Sequence, residues 1–240
     1  MKHIAEIGIN HLGSKNLLKK YLNYLDKLKI YGVTLQITDQ MFFKRKYKRL
    51  FINYNEAANI FFSNIKNKKV GLVTDKLELI KRFKNKSNFF KILSKDFNNH
   101  KLIKAAINTK KKTYVSTGMA NYNDIKKFNK KYKKYKNLIL IHTQLSNDIK
   151  YASLESIHIM KNITSFKIAY GFHSNNKNTV FCSLPYKPEA IFCYIKDNKD
   201  RKYPDKLHAY KLSEYKALIE KINLLKDCIL DTKKKFNNWR

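Results

Sequence analysis

A barrel of eight βα units, the (β/α)8 TIM barrel of the α/β class, is the fold this sequence predicts, on three observations. Short apolar, β-branched segments recur at fairly even spacing. Lys-rich stretches with apolar residues three and four apart separate them. The 240 residues also match the roughly 250 that one such barrel takes, leaving no room for a second domain.

The strands are expected at 4–9, 33–37, 69–74, 89–93, 113–116, 138–142, 165–170 and 190–195. The first carries Ile4, Ala5, Ile7 and Ile9, and the second alternates Val33, Leu35 and Ile37 with Thr34 and Gln36. Val70 and Leu72 mark the third, Phe89, Phe90 and Ile92 the fourth, and Tyr114 and Val115 the fifth. The sixth is the run Leu138-Ile139-Leu140-Ile141, the seventh holds Phe166, Ile168 and Ala169, and the eighth is Ala190-Ile191-Phe192-Cys193-Tyr194-Ile195. Helices are expected at 14–28, 75–83, 98–109, 121–135, 154–160 and 213–229, where apolar residues repeat with helical spacing. The least regular stretch is 38–55, a basic and aromatic insertion with Phe42-Phe43-Lys44-Arg45-Lys46-Tyr47-Lys48-Arg49. Aromatics that stack bases beside cations that follow phosphates could grip single-stranded nucleic acid, but the segment reads as a solvated loop.

Composition narrows the function classes. The 43% of hydrophobic residues can bury a sizeable core, so wholesale disorder is excluded. No apolar run approaches the roughly 18 residues of a spanning helix. The N-terminus, Met1-Lys2-His3-Ile4-Ala5-Glu6, lacks the pattern of a secretory signal, so a cytoplasmic protein is expected. Cys182, Cys193 and Cys228 lack both an even count and CxxC spacing, which argues for reduced thiols rather than disulfides or a zinc knuckle. The formal net charge of +33 invites a nucleic-acid partner. Lys in excess of Arg, with only 6 Gly and 3 Pro, is also what AT-biased coding produces on every solvated face, so charge alone does not assign one.

Functional groups of a TIM barrel sit at the C-terminal ends of its strands. Glu6 interrupts the apolar first strand on the face opposite Ile7 and Ile9, and a carboxylate there costs several kcal/mol on the order of a buried charge unless paired. Gln36, Lys91, Ser94, Ser116, Thr117, His142 and His173 likewise close their strands. Singly, each is a hydrogen-bonded strand end; together they form a polar ring.

These residues fall in motifs. Glu6-Ile7-Gly8-Ile9-Asn10-His11-Leu12-Gly13 resembles the E-I-G-x-N-H-x-G opening of the sialic acid synthases, the bacterial N-acylneuraminate, legionaminate and pseudaminate synthases. Val33-Thr34-Leu35-Gln36 is similar to their V-K-F-Q, and Lys91-Ile92-Leu93-Ser94-Lys95-Asp96 to K-I-x-S-G-D/E. Ser116-Thr117-Gly118-Met119-Ala120 follows S-T-G-M-A, His142 falls on L-H-C-T, Tyr170-Gly171-Phe172-His173 on Y-S-D-H, and Pro204-Asp205 on P-D-H.

The resemblance implies a transferase that condenses phosphoenolpyruvate with an open-chain N-acyl mannosamine or related amino sugar to a nonulosonic acid, releasing phosphate by C–O cleavage. It implies a divalent metal, Mn2+ or Mg2+, on the sugar aldehyde. Residue by residue, it assigns Glu6 and Gln36 to catalysis, Lys91, Ser94, Ser116 and Thr74 to phosphoenolpyruvate, Asp205 and His142 to the sugar, and His173 to the metal.

Several positions depart from the pattern. The Lys of V-K-F-Q is Thr34, and the family's second metal ligand, the His of E-K-H-F, is replaced by Tyr194. The P-D-H histidine is Lys206, and the Gly of K-I-x-S-G is Lys95. The expected organisation is a barrel over 1–229 and a basic tail over 230–240, without the antifreeze-like domain that covers the site in typical members. A homodimer or a second protein would then have to supply that cover. Beside the active synthase, two other readings stay open: a degenerate barrel that binds a sugar, an anion or a partner without turnover, and a nucleic-acid-binding protein.

Overall fold

In a computed structural model of the protein, the structure describes residues 1–38 and 50–230. The aromatic and basic run 42–49 of the insertion and nearly all of the 230–240 tail therefore lie outside the described residues. Eight strands close into a parallel barrel: β1 (Lys2–Glu6), β2 (Gly32–Gln36), β3 (Lys69–Val73), β4 (Phe89–Ile92), β5 (Lys112–Ser116), β6 (Leu138–Thr143), β7 (Lys167–Gly171) and β8 (Ala190–Lys196). They pair in sequence order, and β8 returns to β1 with Ala190 opposite Lys2 and Tyr194 opposite Glu6. A two-residue strand, β9 (Tyr210–Lys211), extends β8 through the pair Ile195 and Tyr210.

The helices are α1 (Lys15–Asp26), α2 (Tyr54–Asn64), α3 (Leu77–Phe83), α4 (His100–Asn108), α5 (Tyr122–Tyr132), α6 (Glu155–Ile163), α7 (Thr179–Cys182) and α8 (Leu212–Leu230). Side-chain caps start several of them: Ser14 accepts from the Leu17 amide at 3.2 Å, Asn99 from Leu102 at 3.1 Å, and Asn121 with Asp124 forms a capping box. Their apolar stripes, such as Leu18, Leu22 and Leu25 of α1 and Leu102, Ile103 and Ala106 of α4, pack on the outward strand residues. No helix among the described residues is long and apolar enough to cross a membrane.

Three elements differ from the sequence expectation. The first strand occupies 2–6 rather than 4–9, because Gly8 takes a left-handed φ of +53° and turns the chain before Ile9. Helix α2 and the short α7 were not anticipated; α2 buries Ala57, Ala58 and Phe61, a small-residue face without a leucine stripe.

Register decides what faces inward. Side chains alternate across each strand, so Ile4 with Gly32, Gly71 with Phe89, Tyr114 with Ile139, and Ala169 with Ala190 share the interior. Phe89 fills the space of two missing side chains, since a Cβ on Gly71 would lie 2.2 Å from its ring and one on Gly32 3.2 Å. Tyr114 packs edge-on against Phe89 and Phe192, with ring centroids 5.5 and 5.1 Å away. This apolar plug divides the barrel into a polar mouth at the C-terminal strand ends and a floor at the other end.

Candidate active site

Above the plug, the inward positions of β1, β2, β4, β5 and β8 carry Glu6, Thr34, Lys91, Ser116 and Tyr194. Glu6 and Lys91 form an ion pair through Oε1, with side chains 2% and 3% exposed. Thr34 donates to the same Oε1 at 3.4 Å. The other carboxylate oxygen, Oε2, is buried with no hydrogen-bond partner in the structure. A hydroxyl cannot neutralise the Glu6 carboxylate, and Lys91 supplies the opposite charge. The Lys91 ammonium also lies 5.2 Å from the centroid of the Phe192 ring and 5.7 Å from that of Tyr194.

A cavity of about 220 Å³ opens beside this pair, lined by Gln36, Lys91, Ser94, Ser116, His173 and Tyr194 among others. Ser94 is fixed there because its Oγ accepts the Gly118 amide at 3.1 Å, and a Cβ on Gly118 would come within 2.9 Å of it. The S-T-G-M glycine is thus needed for close approach to the serine that follows β4. Lys95 reaches the same cavity but is engaged by Asp75 at 3.0 Å and Asp96 at 2.9 Å.

The opening motif does its work in the backbone. Asn10 is fully buried; its amide donates to the Ile195 carbonyl at 2.8 Å, and its Oδ1 accepts the Asp205 amide at 3.3 Å. One side chain therefore ties the loop after β1 to the end of β8 and to the loop that carries Asp205. At Gly8, a Cβ would meet Tyr194 Cε1 at 2.7 Å and Asp205 Oδ2 at 3.3 Å, which places Asp205 at the mouth. Burial and the nearby Glu6 raise the Asp205 carboxyl to about 7, against the opposing pull of Lys91. Burial, then Glu6 and Asp205, holds the Tyr194 phenol well above its usual range.

Two of the expected site residues lie elsewhere. His142 alternates outward on β6: it stacks on Tyr170, bonds the Ala152 carbonyl through Nε2 at 3.0 Å, and lines a separate cavity of about 270 Å³ with Thr117, Tyr122 and Ser156. Thr74 is buried just beyond β3, where its Oγ1 accepts the Lys76 amide at 3.2 Å, and it does not line the mouth cavity. Thr117 likewise turns its hydroxyl to the Ile141 carbonyl at 2.9 Å. The physical reason is the same period of two that places their neighbours inside.

His208 was missed, although it stands only three residues after Asp205. Its ring stacks on His173 with centroids 4.5 Å apart and 12° between planes, and both rings meet the edge or face of Tyr194. Nδ1 pairs with Asn147 Oδ1 at 2.9 Å, while Nε2 is buried without a hydrogen-bond partner, 3.6 Å from Asp205 Oδ1. Burial lowers His208 to about 4, with Lys196 and Lys91 adding to the effect. Burial, His208 and Lys91 hold His173 well below the usual imidazole range.

A divalent metal does not fit this donor set. Ligands must converge on one point, whereas imidazoles stacked at 12° with centroids 4.5 Å apart hold their in-plane lone pairs in two separate, nearly parallel planes. Tyr194, its phenol held protonated, is no replacement for a second histidine, and no three His, Cys, Asp or Glu side chains gather as a metal site among the described residues.

A closed (β/α)8 barrel with a buried ion pair and a small cavity at its C-terminal mouth places its chemistry-bearing residues where barrels of this fold carry their sites. The chain belongs to the NeuB family, whose profile matches residues 25–234. In structure it is similar to the N-acetylneuraminic acid (sialic acid) synthetase of Leptospira borgpetersenii in complex with citrate, with a TM-score of 0.85, 20% identity, and 98% of this chain and 87% of that one covered. It is also similar to the spore coat polysaccharide biosynthesis protein spsE of Bacillus subtilis (TM-score 0.80, 15% identity, covering 98% and 71%). A truncated 3-deoxy-D-arabino-heptulosonate 7-phosphate synthase of Thermotoga maritima is more distant, with a TM-score of 0.66, 12% identity, and coverage of 95% and 87%. No curated protein matches the chain in sequence.

Proposed function

We propose that the protein is a sialic acid synthase-like transferase whose mouth cavity takes phosphoenolpyruvate and an open-chain N-acyl amino sugar. The observation that carries this reading is the buried Glu6–Lys91 pair beside Ser94 and Ser116 in a cavity of about 220 Å³. In this reading the Lys91 ammonium and the two hydroxyls hold the phosphate and carboxylate oxygens, and Lys91 exchanges part of its contact with Glu6 for the substrate anion. Gln36 orients the sugar. The enol carbon of phosphoenolpyruvate attacks the aldehyde carbon while Asp205, protonated about half the time near pH 7, gives its proton to the aldehyde oxygen. Water adds to the resulting cationic centre and Glu6 takes one of its protons; the C–O bond to phosphate then breaks as the remaining hydroxyl proton passes to the departing phosphate, leaving the ketone. The Mn2+ or Mg2+ implied by resemblance has no role in these steps, because the donor set does not fit it.

A second reading, a barrel that binds the anion or sugar without turnover, is favoured by one feature: Lys91 is already closed on Glu6 and flanked by two aromatic rings. The deciding experiment measures phosphate release from phosphoenolpyruvate with a panel of N-acyl amino sugars, with and without Mn2+, alongside calorimetric binding. Release that disappears in Lys91→Met supports the transferase. Binding of phosphoenolpyruvate without release from any sugar gives the second reading, and absence of both rejects the two together.

A further inference from the structure

The floor of the barrel carries charge that the mouth reaction does not use. Layers inside a TIM barrel come from alternate strands and are ordinarily bulky and branched. Here the lowest inward positions of β1, β3, β5 and β7 are Lys2, Lys69, Lys112 and Lys167. Among the described residues one carboxylate pairs with them, that of Glu189, immediately before β8. Lys2 pairs with its Oε1, Lys112 lies 3.7 Å from the same oxygen, and Lys167 lies 3.5 Å from Oε2. Three ammoniums on one carboxylate leave a formal excess of 3 − 1 = +2 before Lys69 is counted.

Only the centre of this cluster is enclosed: the Glu189 side chain is 16% exposed and that of Lys2 24%, whereas Lys112 at 41% and Lys167 at 73% reach solvent. Salt screens the exposed ammoniums more than the enclosed Lys2–Glu189 pair, so a bound anion gains most at low ionic strength. A second and independent observation lies just above. Tyr114 stands two residues along the same face of β5 from Lys112, is fully buried, and keeps a hydroxyl with no hydrogen-bond partner. Burial, then Tyr31 and Glu189, opposes its ionisation, which leaves it a donor facing the charged floor. A buried unpaired hydroxyl costs about 1–3 kcal/mol unless something accepts from it.

We propose that the floor of the barrel is a binding site for a tetrahedral oxyanion, either free phosphate or the phosphate end of a small phosphomonoester. Lys2, Lys112 and Lys167 take its oxygens, the Tyr114 hydroxyl donates to it, and Glu189 keeps the three ammoniums oriented. The competing account is that the same groups only plug the barrel with ion pairs.

Isothermal titration of inorganic phosphate and of glycerol phosphate, at fixed ionic strength, separates the two. The expected result is saturable binding of one phosphate that survives the paired substitution Glu6→Gln/Lys91→Met at the mouth. Binding weakens roughly tenfold or more in Lys112→Gln/Lys167→Gln, as the loss of two charge-assisted contacts requires. The Lys167 side chain is 73% exposed, so Lys167→Gln alone preserves the fold and is expected to show part of that loss. Tyr114→Phe, which removes one oxygen at constant shape, is expected to weaken phosphate binding about threefold. Binding of glycerol phosphate as tight as that of phosphate assigns the phosphomonoester, and binding of phosphate alone assigns the free ion. Phosphate affinity equal in wild type and Lys112→Gln/Lys167→Gln, or abolished in a folded Glu6→Gln/Lys91→Met variant, overturns the proposal without touching the mouth reading.

Discussion

Glu6 and Lys91 are each nearly inaccessible, so neither charge has water to fall back on if the other is removed. Breaking such a pair from one side costs about 3–5 kcal/mol, while replacing both partners is far milder. Glu6→Gln and Lys91→Met are therefore each expected to lower urea stability by that order, and the double variant to recover most of the loss. Additive losses in the double-mutant cycle would show that the two do not act as a pair. The mouth also contains two groups with opposite linkage. The Asp205 pKa is raised, from 3.8 to about 7, so its contribution is complete below pH 3.8 and is lost as pH rises towards 7. The His208 pKa is lowered, from 6.5 to about 4, so the unfolded chain binds its proton first and stability is lost as pH falls from 6.5 to 4. Buried His3 and His11, also lowered to about 4, act in the same sense as His208. Asp205→Asn removes the one opposing group of these four. Its urea midpoint should consequently climb more steeply between pH 4 and 6.5 than that of the wild type, and parallel profiles would contradict the raised Asp205.

At the scale of elements, the period of two made the strands legible, and with them the inward placement of Glu6, Lys91 and Ser116. The same rule, applied to each strand's own register, turns His142 outward; a strand-end position alone did not carry that information. Helix α2 escaped because Ala57, Ala58 and Phe61 form its buried face, without the leucine and isoleucine stripes that mark α1 and α4. Ile7 and Ile9 continued the apolar alternation past the true end of β1, since only the conformation of Gly8 distinguishes strand from turn there. His208 was invisible to motif matching because it stands two residues beyond the place where the pattern holds its histidine. The loop after β1 also supports a prediction. Gly8→Ala would combine a left-handed φ with a Cβ 2.7 Å from the Tyr194 ring, and roughly 1–3 kcal/mol of strain is expected. Because Tyr194 must shift, phosphoenolpyruvate binding should weaken along with stability. An unchanged urea midpoint would mean that the turn tolerates a side chain.

For the whole molecule, a formal charge of +33 opposes compaction, because the folded chain concentrates its ammoniums while the unfolded chain spreads them. Ion pairs on the surface do little to offset this: Lys15 with Glu56, Lys177 with Glu214 and Lys216 with Glu220 all join side chains at least 41% exposed, and such pairs are worth about 0–1 kcal/mol. Repulsion and attraction between exposed charges respond to salt with opposite signs. Raising NaCl from about 0.01 to 0.15 M shortens the screening length from about 30 to 8 Å. If net repulsion dominates, the urea midpoint must rise over that interval; if surface ion pairs dominate, it must fall. A rise is expected here. The buried Glu6–Lys91 pair, beyond the reach of counterions, should contribute equally at both salt concentrations, so the coupling measured for that pair is expected to stay constant while overall stability climbs. Lys112→Gln/Lys167→Gln removes two of the floor ammoniums and should make the climb shallower. A midpoint that falls with salt would show that the scattered surface pairs, rather than the excess of lysines, set the electrostatic balance of the fold.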